Sequence, residues 1–92
     1  MANSEQLEYL QDSADDWNVY RREHAITRPD LRGADLSAAE LPGADLSGAD
    51  LAGADLRAID LTNAILRQAD LTEANLAGVD LSWVAGLDLG GT

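Results

Sequence analysis

The feature that most constrains this chain is a leucine at every fifth residue. Leu occupies 31, 36, 41, 46, 51, 56, 61, 66, 71, 76 and 81, eleven positions without a break. Calling each leucine position i, the residue at i−2 is small or apolar (Pro29, Ala34, Ala39, Ala44, Ala49, Ala54, Ile59, Ala64, Ala69, Ala74, Val79). The residue at i−1 is acidic or an amide from Asp30 to Asp80, with the single exception of Ile65.

A period of five suits neither regular element. On a helix, five residues advance about 500°, so successive leucines stand about 140° apart and scatter around the cylinder. On a straight strand an odd step puts successive leucines on opposite faces. Positions i−2 and i, however, share one face of an extended piece. The consistent solution is a short extended piece with i−2 and i inward, then a corner, then the next piece. Gly33, Gly43, Gly48, Gly53 and Gly78, all at i+2, suit tight corners. The chain therefore coils around a narrow interior of Ala and Leu. The composition agrees: two Trp, two Tyr and no Phe leave few rings for a conventional core.

These tandem A(D/N)Lxx units resemble the pentapeptide repeat family. The resemblance runs from Pro29 to Trp83. It implies an all-β solenoid, a right-handed quadrilateral β-helix with four pentapeptides per turn. Eleven repeats then make just under three coils, roughly 14 Å long at the spacing of paired strands. Each leucine contributes about 1.5–3 kcal/mol on full burial, an upper bound because the unfolded chain is not fully extended. Solenoid ends expose core and unpaired backbone, so they require caps.

The expected organisation is a helical cap over 1–28, the repeats over 29–83 and an edge or tail over 84–92. Residues 3 to about 24 read as helix, capped by Asn3 or Ser4, with Gln6 reaching back to Asn3. Ser13 to Asp16 can restart it as a second helix. Leu7, Leu10, Ala14, Trp17 and Tyr20 form an apolar stripe at helical spacing, the expected packing face on the first coil. The alternative is that Trp17 and Tyr20 face a partner. Arg21, Arg22 and His24 fall in the last turn, where positive charge suits the dipole, and Pro29 forbids further helix. The stretch from Asp16 to Leu31 also resembles the Trp-Asn-containing helix that precedes the repeats in some bacterial family members.

After Leu81 the rhythm fails. Gly86 stands where Leu is due, and Leu87 and Leu89 are out of register. Either this stretch folds over the last coil, or that edge pairs with another molecule, or the chain is part of something longer. Trp83, Val84 and Leu87 form a candidate adhesive patch. Pairing two such ends about a two-fold axis gives a closed homodimer, while the N-terminal helix blocks head-to-tail stacking. Ile65 is expected as an exposed apolar residue, either tolerated singly or part of the same patch.

With four repeats per coil, residues twenty apart stack. The expected acidic ladders are Asp30, Asp50 and Asp70; Asp35, Asp55 and Asn75; and Glu40, Asp60 and Asp80. The fourth face carries Asp45 and then Ile65. A side chain at i−1 can satisfy backbone N–H groups near its own corner. The alternative use is mimicry: some family members imitate DNA and bind type II topoisomerases. This chain departs from those in its shortness, since 14 Å matches only about four base pairs of axis.

The net charge is −11, with six Arg and no Lys. Such a surface disfavours direct nucleic-acid binding and anionic membranes and attracts basic partners. No cysteine is present, so there is no disulfide and no thiolate chemistry. No signal-peptide pattern or membrane-length apolar run is seen, and a cytoplasmic location is expected. His24 is the single histidine, and no catalytic constellation accompanies it. The paired carboxylates arise from the repeat and carry no catalytic information. No enzyme activity, cofactor or metal site is expected. The expected function is a non-catalytic structural or protein-interaction module with an unidentified protein partner. The alternatives are the topoisomerase-binding DNA mimic, or the repeat domain of a larger effector or signalling protein.

Overall fold

The computed structural model describes residues 2–82 and 84. Two short helices are followed by a coil: α1 spans Ser4–Asp12 and α2 spans Ala14–Glu23. Ser13 separates them in extended backbone and caps α2, its Oγ accepting from Asp16 N–H at 3.0 Å. The restart at Ser13 is therefore the arrangement adopted. Asp15 and Asp16 occupy the first turn of α2, and Arg21 and Arg22 the last.

Six parallel bridges define the coil: Asp30–Asp50, Asp35–Asp55, Glu40–Asp60, Asp45–Ile65, Asp50–Asp70 and Asp55–Asn75. Every pair is twenty residues apart, so four pentapeptides complete one coil. Among the described residues no side of the coil lengthens into a regular strand. The physical reason is the repeat itself: each bridge residue is flanked by turns, so the extended run is too short. This qualifies the all-β expectation. The order is a stack of corners joined by isolated bridges, and the regular elements are helices.

The ladder uses three backbone bonds per side. On the side of Leu31, for example, Leu31 N–H donates to Asp50 O at 2.9 Å, Gly33 N–H to Ala52 O at 2.9 Å, and Asp50 N–H to Pro29 O at 2.8 Å. Each corner closes by an N–H donated from i+3 to the carbonyl of i, as from Ala34 to Leu31 at 3.1 Å. With positive φ at i+2, this is a type II turn. The left-handed position is not reserved for glycine. Ala38, Ala58, Asn63, Gln68 and Glu73 adopt it with φ between 56° and 62°. Among the described glycines Gly48 alone has a second reason to lack a side chain: a Cβ there would lie 2.6 Å from Thr27 O.

The interior is the expected column of Ala and Leu. Leu31 through Leu66 are each 2% exposed or less, and Leu71 is 6% exposed. Leu76, Val79, Leu81 and Val84 are only partly buried against that column. The same pentapeptide thus gives a sealed core near the helices and a shallower one in the last coil.

Candidate interaction surfaces

The lid at the first coil is built from α1 and α2. Leu10 and Trp17 are fully buried, Tyr20 is 5% exposed and Leu7 is partly buried. Trp17 and Tyr20 therefore face the molecule's own core rather than outward.

Several cap side chains also replace the hydrogen bonds of a preceding coil. Gln6 Oε1 accepts from Asp30 N–H at 2.8 Å, and Asn3 N–H donates to Asp30 O at 2.8 Å. Asn3 caps α1, its Oδ1 accepting from Gln6 N–H at 3.1 Å, and only the return bond from the Gln6 side chain is exchanged for bonds to the coil. Asn18 accepts from Asp45 N–H at 2.8 Å and donates to Gly43 O at 3.0 Å. Trp17 Nε1 donates to Asp45 O at 2.8 Å. On the sides of Asp30 and Asp45, side chains occupy the place of a coil.

Arg21 completes this junction. It is 8% exposed. Its Nε donates to Ile26 O at 2.9 Å, Nη1 to Asp45 O at 2.8 Å, and Nη2 to Ser47 O at 2.5 Å and Thr27 O at 3.4 Å. Four carbonyls thus converge on one guanidinium, whose planar fork suits such a gathering. Asp45 Oδ1 adds a contact at 3.5 Å. The sequence assigns Arg21 only to a favourable helix end, because its carbonyl partners lie up to 26 residues away. One signal was available: Ile26 stands five residues before Leu31, so the leucine register begins one step earlier.

The ladder carboxylates, Glu40 excepted, serve their own corners. In nine corners the i−1 Oδ1 accepts from the N–H of i+1, from Asp30 with Arg32 through Asp80 with Ser82. Ser37, Ser47, Thr62 and Thr72 donate their hydroxyls to the same oxygen, while Arg32 and Arg57 form ion pairs with Asp30 and Asp55. Bonds to the ionised form hold the carboxyl below its ordinary range. The Arg32 side chain does this at Asp30 and the Arg57 side chain at Asp55. The hydroxyls of Thr62 and Thr72 do it at Asp60 and Asp70, and the Ser82 N–H and hydroxyl at Asp80. At Asp45 burial works against ionisation, but the two Ser47 bonds and the nearby arginines outweigh it.

Ile65 keeps the bridge and loses the clasp. Its N–H donates to Ala44 O at 2.9 Å and its carbonyl accepts from Leu46 N–H at 2.8 Å. It is half-buried rather than exposed. Val84 packs against the last-coil core, while Trp83 and Leu87 lie outside the described residues. Among the described residues no group of three acidic or histidine side chains is placed to hold a metal ion, and no helix is long and apolar enough to cross a membrane.

A four-sided coil of five-residue units under a helical lid defines a repeat module of the β-helix type. The family described as "Pentapeptide repeats" matches this chain in eight copies, over residues 30–68 and 49–84. The chain belongs to the pentapeptide repeat family. Among solved structures it is similar to a pentapeptide repeat protein from Nostoc Pcc 7120, at 24% identity over 84% of this chain and 90% of that one. The TM-score of 0.21 is too low for that likeness to bear on the fold. No curated protein matches the chain.

Proposed function

We infer that this repeat module is a non-catalytic protein-interaction element that associates through its last coil. The observation that supports it is the gradient of burial. Leucines under the lid are sealed, whereas Leu76, Leu81 and Val84 are only partly covered. An incompletely covered apolar column favours a protein surface over water. With Trp83 and Leu87 adjoining in sequence, a second copy is the occupant proposed, as a two-fold dimer. The finer geometry belongs to the same reading: a right-handed quadrilateral β-helix, in the cytoplasm of a bacterium.

The DNA-mimic reading has less support. Every ladder carboxylate except that of Glu40 is engaged in its own turn, and the coil is short. Sedimentation of the full chain tests the main reading. A dimer is expected at high concentration, with Trp83→Glu shifting it to monomer. A wild-type chain that stays monomeric, or a dimer that survives Trp83→Glu, refutes it.

A further inference from the structure

The lid has an outer face that the coil does not use. Tyr9 and Val19 are the exposed large hydrophobic residues among those described, at 40% and 43% exposure. Tyr20 covers one side of the Tyr9 ring, with centroids 4.1 Å apart and planes 15° from parallel. His24 packs on Tyr20 at 4.4 Å. This stack seats one face of the Tyr9 ring against α2 and leaves the ring part-exposed.

Two open clefts meet at Tyr9. One, of about 450 Å³, is lined by Tyr9 with Glu5, Glu8 and Asp12. The other, of about 180 Å³, is lined by Val19, Tyr9 and the Tyr20–His24 stack together with Asp16 and Glu23. The Tyr20 hydroxyl donates to Glu5 Oε2 at 3.0 Å, which anchors the carboxylate beside the ring. Arg22, exposed on α2, lines neither cleft. An aromatic face within a ring of carboxylates suits a cation that can shed water, and a guanidinium does so more readily than an ammonium. The apolar cleft alongside suits an aliphatic side chain.

We propose that the outer face of the lid docks a basic segment of a partner protein, seating an arginine over Tyr9 among Glu5, Glu8 and Asp12 and an aliphatic residue against Val19. The charge of the whole chain, −11, speeds the approach of such a segment. The proposal rests on the module being an interaction element, but uses the lid rather than the last coil. The two surfaces therefore fail or succeed separately.

The test titrates the full chain with the blocked peptide acetyl-Gly-Arg-Ala-Leu-Gly-amide, following Tyr9 ring and Val19 methyl NMR signals. The expected result is saturable shifts at both residues. Tyr9→Leu, which keeps an apolar side chain but removes the ring, should weaken binding about threefold to tenfold. Glu8→Gln with Asp12→Asn should weaken it by a similar factor, and so should citrulline in place of the peptide's arginine. Unchanged circular dichroism melting shows that each variant is folded, Tyr9→Phe, which keeps the ring, is expected to bind like the parent, and the citrulline peptide, which leaves the protein unaltered, carries the test if a variant does not fold. Shifts spread over the Asp55 and Asp60 corners, or a Tyr9→Leu affinity within twofold of the parent, overturn the proposal. So does a dimer that Tyr9→Leu dissolves, since the occupant would then be a second copy. Loss of the dimer in Trp83→Glu with peptide binding intact leaves the proposal standing.

Discussion

The first coil and the last coil carry the same pentapeptide and hold it differently. In the first coil Leu31, Leu36, Leu41 and Leu46 are at most 2% exposed. In the last, Leu76 and Leu81 are half-buried. The difference is supplied from outside the repeat. Trp17 and Leu10 cover the top of the column, and Asn3, Gln6, Asn18 and Arg21 furnish the donors and acceptors of an absent coil. A pentapeptide is therefore as stable as the layer beneath and the layer above allow, as expected of quasi-one-dimensional folds.

The largest expected effect is at the lid. Trp17→Ala removes a fully buried ring and one donor to Asp45 O, and should cost about 3–5 kcal/mol in denaturant unfolding. A loss below about 1 kcal/mol would mean that the first coil does not depend on its lid. Next comes a matched pair. Leu46→Ala should cost about 3–4 kcal/mol, and Leu76→Ala about 1–2 kcal/mol, because the second is already partly exposed. Equal losses would erase the contrast between the coils.

Acid should loosen the corners. Asp30, Asp45, Asp55, Asp60, Asp70 and Asp80 are held below their ordinary range in the fold. Such groups stabilise the fold above the unfolded carboxyl value, about 3.9. That contribution disappears as pH falls through the lowered folded values. The melting temperature should therefore hold down to about pH 4 and then drop. Replacing Asp60, Asp70 and Asp80 together by Asn keeps a turn acceptor, as Asn75 already does for Ala77 N–H. That variant should show a shallower drop, and an identical profile would place the acid sensitivity elsewhere. The smallest effect is a gain. Ala58→Gly relieves a left-handed alanine with φ 56°, and should stabilise by about 0.5–1 kcal/mol after the entropy of glycine is offset. A loss of stability would show that this corner tolerates alanine without strain.

What the sequence made legible follows from locality. The inward leucines, the clasping aspartates and the restart at Ser13 depend on residues within five of each other, and all can be read from spacing. Arg21 and Asn18 could not be read that way. Their distant partners are backbone groups of Gly43, Asp45 and Ser47, which any residue type supplies, and the register of Ile26 marks only the near end of the junction. The non-glycine corners were hidden for a related reason. At Ala38, Ala58, Asn63, Gln68 and Glu73 the ladder imposes a conformation that the residue itself does not favour. Ile65 looked like surface because its neighbours in register are acidic, yet the bridge it makes needs only its backbone. Tyr9 went unnoticed because helical spacing singled out the buried stripe.

The twenty-residue register has a consequence for how such a module changes length. The lid grips the sides of Asp30 and Asp45, both fixed by the first coil alone. Inserting four pentapeptides below them would add one storey and leave the far end facing the same way. Inserting one would turn the far end by a quarter relative to the lid. The repeat number, counted in remainders of four, sets the compass bearing between the Tyr9 face and whatever the last coil touches.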